Sequence, residues 1–194
     1  MAVNSESRFA LYLNGRPSQT KAYLDWQLRF VTNLSKETRL RLKIRQHQED
    51  FGWDVTKRLR DSGLDLKIDT DWATPFLKEL ANCSLFICDQ LGTTLLESFA
   101  AGKPSVFFFD PSKILLREEA KPYYDGLIRV GVLFHDPIEA ANAVNLIADN
   151  PESWWQDHQR QDVVQHFTER FARASKDAVK FWAQELISVT RDKH

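Results

Sequence analysis

The sequence predicts an α/β protein built on an open parallel sheet of five or six strands with helices on both faces, and three observations carry that expectation. Short apolar runs of strand length alternate with stretches of helical period. Two such runs flank one helix-like segment in SLFICDQLGTTLLESFAAGKPSVFFFD, residues 84–110, which is the order of a parallel right-handed crossover. After residue 136 no further run reads as a strand, and helical patterns continue towards the C-terminus.

Strands are expected over 9–13, 40–45, 64–68, 85–88 and 106–109, with a weaker one over 132–134. Between the first two, Ala22, Leu24, Trp26, Leu28, Val31 and Leu34 favour an apolar helical face, and shorter helices are expected over 55–60 and 75–81. Leu95, Leu96 and Phe99 give the next helix, which Gly102 and Pro104 end. Residues 138–148 form one helix, and 152–190 supply one or two long ones. These last carry Trp154, Trp155, Phe167, Phe171, Phe181 and Trp182, more aromatic surface than a helical tail shows to water. The chain therefore divides into a sheet-forming part, 1–150, and C-terminal helices, 151–194, which pack on that sheet or on a second domain.

A chain of 194 residues, 43% apolar, can bury a single-domain core. Its 26 basic and 27 acidic residues leave a formal charge of −1, so no global field draws it to nucleic acid or an anionic membrane. Any anion site must be local. Cys83 and Cys88 match no common metal spacing and are expected as buried free thiols. No run of about 18 apolar residues and no leader sequence occurs, so a cytoplasmic location without a transmembrane segment is expected. The absence of GxSxG, Walker-type and HExxH motifs argues against the common hydrolase, NTPase and zincin mechanisms.

Ligands of open α/β sheets sit outside the carboxyl ends of the strands, and Asp89, Gly92, Thr93, Thr94 and Glu97 map there. Gly92 lets a phosphate approach the backbone, Thr93 and Thr94 offer hydroxyl and amide donors, and Glu97 can accept sugar hydroxyls one turn into the helix. The plainer alternative is an ordinary helix start capped by Asp89 or Thr93. In IRQHQEDFGW, Arg45 and His47 alternate onto one face near a strand's carboxyl end and suit a diphosphate; a solvated strand end is the alternative. In LNGRPSQTK, a turn after the first strand, Arg16 and Lys21 can reach an anion. Asp69 and Asp71 lack a third ligand and make a poor magnesium site. His135 can line the cleft, whereas His158, His166 and His194 read as helix-surface or tail residues.

The stretch 89–104 resembles the C-terminal, nucleotide-sugar-binding half of GT-B glycosyltransferases, in which an acidic residue, seven intervening positions and a glutamate precede a GxP turn. Asp89 and Glu97 hold that spacing, and Gly102, Lys103 and Pro104 form the turn. The resemblance implies that Glu97 contacts the ribose and that the helix start at Gly92, Thr93 and Thr94 meets the diphosphate. Asp89 stands where many retaining members have Glu, and the turn is similar to that of the CDP-glycerol polyol-phosphate transferases. There an upstream R-x-H strand also occurs, matched here by Arg45 and His47.

The longer strings RQHQEDFGW, IDTDWATPFLKELANCSLFICDQLGTTLLESFAAGKP and LREEAKPYYDGLIRVGVLFHDPIEAA resemble one family in particular, the transferases of bacterial surface-polysaccharide loci, over most of 45–171. GT-B members have two Rossmann-like domains with the active site between them. The resemblance implies that this chain is the Rossmann-like donor half, with the acceptor half on an N-terminal domain or partner subunit. It implies transfer of a sugar or polyol phosphate from a nucleotide-activated donor to a surface glycan, with no metal or cofactor. Arg16, Arg45, His47 and the Gly92 helix start would neutralise charge on the departing nucleotide phosphate. The alternative is a non-catalytic nucleotide- or partner-binding module, or half of a split enzyme.

Overall fold

The computed structural model describes residues 20–46 and 54–191. They form an α/β arrangement of five short parallel strands and ten helices, in the order α1 (Thr20–Asn33), α2 (Lys36–Arg41), β1 (Lys43–Arg45), α3 (Val55–Asp61), β2 (Lys67–Asp69), α4 (Phe76–Asn82), β3 (Phe86–Cys88) and α5 (Thr93–Ala100). There follow β4 (Ser105–Phe108), α6 (Lys121–Arg129), β5 (Leu133–Phe134), α7 (Pro137–Ile147), α8 (Pro151–Trp155), α9 (His158–Phe171) and α10 (Ala178–Arg191). β1 pairs with β2, Ile44 opposite Ile68. β3, β4 and β5 make a second sheet, with Ile87 opposite Val106 and Phe107 opposite Leu133.

The expected sheet of five or six strands is thus present, among the described residues, as two smaller parallel sheets. The expected strand at 9–13 lies outside the described residues. The other strands are shorter than the apolar runs suggest: Leu40 belongs to α2, because Ser35 accepts a hydrogen bond from the Thr38 amide and starts a helix there.

Strand alternation sorts the core. Ile87, Val106 and Phe108 face one cluster with Phe30 and Val31 of α1 and Ala140, Ala141 and Val144 of α7. Cys88, Phe107 and Phe109 face the other, with Leu95 and Phe99 of α5, Leu127 of α6, Trp155 of α8 and Val164 and Phe167 of α9. Helices therefore cover both faces of the three-stranded sheet. Phe30 and Phe108 stack at 4.6 Å between ring centroids. Helix α6 is not among the expected elements, and it forms although it contains Pro122 and Gly126. Pro122 sits in its first turn, where no amide is required, and a Cβ at Gly126 would come within 3.2 Å of Val163 Cγ1.

The aromatic C-terminal region splits in two. Trp155 and Phe167 are buried and Trp154 and Phe171 pack against the core clusters, with the Arg160 guanidinium 4.2 Å from the Trp154 ring centroid. Phe181 and Trp182 of α10 are exposed, together with Val179, Leu186, Ile187 and Val189. Among the described residues no helix is long and apolar enough to cross a membrane.

The Phe30–Phe108 stack joins α1 to the second sheet and should be measurable by urea unfolding. Phe30→Ala and Phe108→Ala are each expected to cost about 3–5 kcal/mol. The double variant should cost less than their sum by about 0.5–1.5 kcal/mol, the part that belongs to the ring pair itself.

Candidate functional site

The site is built where β3 runs out. Cys88 ends the strand, residues 89–92 turn, and Thr93 opens α5. Gly92 occupies the N-cap position, and among the described residues no side chain caps the helix. The first amides of an α-helix have no partner within it, so this start presents donors and the positive end of the helix dipole. Gly92 and Thr93 are exposed and Thr94 is half-buried, its hydroxyl 3.6 Å from Cys88 Sγ. Glu97 is exposed one turn further on.

Gly92 is not required by the fold. Its backbone is extended, with φ −117° and ψ −168°, a region open to any residue, and a Cβ there would meet nothing within 4 Å. The position is exposed and bare of neighbours beside the helix start. That suits close approach of a phosphate to the backbone.

Asp89 faces the other way. It is 3% exposed and its carboxylate Oδ2 accepts hydrogen bonds from Tyr23 Oη at 2.8 Å and Gln27 Nε2 at 2.5 Å, both on α1. Gln90 Nε2 donates to the same Tyr23 oxygen at 2.9 Å. Asp89 Oδ1 and Gln27 Oε1 are buried without a hydrogen-bond partner among the described residues. Burial pushes Asp89 above the usual carboxylate range, although the bonds from Gln27 and Tyr23 pull it down. Burial, and after it the Asp89 charge, holds Tyr23 well above the usual phenol range. Asp89 is thus no cap for α5; it fastens the first two turns of α1 to the end of β3.

The tie to α1 is the functional feature that sequence reasoning misses. Its signal is a polar residue on a helix face otherwise occupied by Leu24, Phe30 and Val31: Gln27 is fully buried.

Arg45 ends β1. Its Nη2 donates to the Thr74 carbonyl at 2.5 Å, and its buried Nη1 has no acceptor among the described residues. It lines a cavity of about 420 Å³ together with Lys43, Phe86 and Ile87. Arg16 and His47 lie outside the described residues. Lys21 pairs with Asp25 at 2.7 Å on the surface of α1. The structure therefore gathers Asp89, Gly92, Thr93, Thr94 and Glu97 at one strand end, and Arg45 at the end of a strand in the other sheet.

The carboxylates weighed as metal ligands have other work. Asp69 pairs with Lys43, and Asp71 accepts from the Ala73 amide at 3.0 Å and from Thr74 Oγ1 at 2.7 Å. Both cysteines are free thiols; burial raises Cys83, and burial followed by the Asp89 charge raises Cys88. His135 stacks edge-on against Phe109, and His166 lies flat on Tyr123.

Against protein-family models, the chain matches the LIC12162 family transferase over residues 3–186. No curated protein and no solved structure matched.

The buried carboxylate has a signature in pH. In the unfolded chain Asp89 ionises near pH 4, whereas the folded protein holds its proton to higher pH. Between those values the unfolded state binds fewer protons, so this group favours the folded state at acid pH and that advantage is lost as pH rises through the folded-state value. Asp89→Asn removes the loss. In thermal unfolding from pH 4 to pH 7, the difference between variant and parent should move in the variant's favour as pH rises; a constant difference would show that Asp89 titrates normally.

Proposed function

Because the chain belongs to the LIC12162 family of transferases, we propose that it is the donor-binding part of a GT-B-like enzyme moving a sugar or polyol phosphate from a nucleotide-activated donor to a surface-glycan acceptor, in the cytoplasm of a bacterium. The observation that carries the reading is the uncapped, exposed start of α5 with an unneeded glycine at its N-cap. The diphosphate lies against the amides after Gly92, with the Thr93 and Thr94 hydroxyls as further donors and Glu97 one turn away for the ribose. Arg45, whose Nη1 has no acceptor among the described residues, and Arg16 and His47 supply positive charge. Such an arrangement stabilises charge developing on the leaving phosphate through fixed donors, without a metal.

A second reading is favoured by α10, whose apolar residues Val179, Trp182, Leu186 and Val189 are all exposed. In it the chain is a nucleotide- or partner-binding module, or one half of a split enzyme completed by a second Rossmann-like domain.

Gly92→Asp separates a phosphate site from a plain helix start. Aspartate is a good N-cap and its charge suits a helix N-terminus, so the variant should be as stable as the parent or more stable by a few tenths of a kcal/mol. The same carboxylate would repel a diphosphate, so calorimetric titration with nucleotides and nucleotide sugars should show affinity lowered at least about tenfold, or about 1.4 kcal/mol. Equal affinity in parent and variant would remove the turn from the binding site.

A further inference from the structure

Among the described residues nothing covers α10. Every residue from 173 to 190 is exposed, and Val179, Trp182, Leu186 and Val189 recur there at spacings of three, four and three. Those spacings set all four in one stripe along the helix. Lys180, Gln184 and Ser188, each about one turn from the next, run down another side, with Phe181 beside them. The helix is thus amphipathic and unpacked, and its 14 residues are a marginal length for a helix that stands alone in water.

The charge of this stretch is as uncovered as its apolar stripe. Lys21, Lys43, Lys57 and Lys121 are each held in an ion pair, whereas Arg173, Lys176 and Lys180 are in none among the described residues. Asp177 and Glu185 are the acidic residues of 173–190, so basic groups are in excess. They gather at the amino end of α10, whose first turn has no acidic residue and contains Lys180. A cation there opposes the helix dipole. Charges that do nothing for the helix itself suit a negative surface outside it.

We propose that α10 lies flat on an anionic lipid surface, with Val179, Trp182, Leu186 and Val189 sunk into the boundary between headgroups and acyl chains and with Arg173, Lys176 and Lys180 against lipid phosphates. The helix is about 21 Å long, short of a hydrocarbon core of about 30 Å, so it rests in the interface rather than crossing it. Trp182 fits that boundary, its ring in the apolar layer and its N–H towards water. The whole chain has a formal charge of −1, so the attraction belongs to this stretch alone.

Two considerations select lipid over a second copy. A specific protein interface takes roughly 20–30 residues from each side, more than α10 possesses. A second copy would also bring more of the same unpaired cations, whereas anionic headgroups neutralise them. Lipid binding is measured without nucleotide and is independent of the donor-binding reading.

The test is co-sedimentation of the full chain with vesicles. Binding to vesicles of phosphatidylglycerol and phosphatidylcholine in equal parts should be at least about tenfold tighter than to phosphatidylcholine alone, and should weaken as salt rises. Leu186→Glu puts a charge in the apolar stripe and should abolish binding, and Lys176→Gln combined with Lys180→Gln should remove most of the preference for anionic vesicles. All three side chains are exposed, so the variants should unfold at the parent's temperature. Failure of the parent to bind the mixed vesicles would overturn the proposal, as would equal binding to phosphatidylcholine alone or binding that survives Leu186→Glu. Size-exclusion supplies the other arm: a dimer that Leu186→Glu converts to monomer would give the stripe to a second copy and overturn it as well.

Discussion

β4 is buried at all four of its residues and is paired on both edges, with β3 and with β5. A strand in that position has no face left for water, so both of its faces need an apolar cover, and alternation assigns the covers. Phe108 and Val106 demand α1 and α7; Phe107 demands α5, α6, α8 and α9. Since every pairing is parallel, each connection has to cross a face and return to the same starting end. All the turns that leave carboxyl ends within a sheet then gather on one side of it. The location of the candidate site follows from that packing requirement before any of its polar residues is considered.

The orientation of Asp89 decides what the turn after β3 can do. A carboxylate placed just before a helix ordinarily accepts from the first amides and neutralises the local dipole. Here it is drawn under α1 by Tyr23 and Gln27, and Gly92 takes the cap position with no side-chain oxygen to offer, its carbonyl accepting, among the described residues, only from the Leu95 amide at 3.2 Å. The helix start keeps its donors and its positive potential on the exposed side. The same residue anchors α1, so one buried carboxylate both fixes the scaffold and leaves the start of α5 without a neutralising side chain of its own turn. Around the other sheet, acidic groups are likewise committed: Glu79 and Asp69 to Lys43, Asp71 to its own loop.

Much of this is legible in the residues, and the failures have physical causes. Apolar runs locate all five described strands, most clearly β4, which is buried at all four residues and must be apolar whatever its partners are, whereas β1 and β2 keep exposed lysines. Their ends are misplaced where a local hydrogen bond outweighs propensity, as when Ser35 turns Leu40 into helix. On α1 the expected face includes Trp26 and Leu28, which are half-buried, and omits Phe30 and Gln27, which are wholly buried. The period is right but the phase is shifted, because Gln27 is held by an aspartate 62 positions away and no local pattern encodes that. The spacing from Asp89 to Glu97 places the Gly92 turn correctly at a strand's carboxyl end. It cannot tell which way Asp89 points, since that depends on a helix far earlier in the chain.

The two thiols carry a practical consequence. Alkylating reagents attack the thiolate, and a thiol raised by burial offers little of it at neutral pH. Cys88 is almost entirely enclosed and Cys83 is partly so, with its Sγ turned to the Leu80 carbonyl at 3.3 Å. A cysteine introduced on an exposed helix would therefore react with a maleimide dye well ahead of either native one. The natural sequence is in that sense already a quiet background for attaching a fluorophore or a spin label, with no need to disturb the packing around β3.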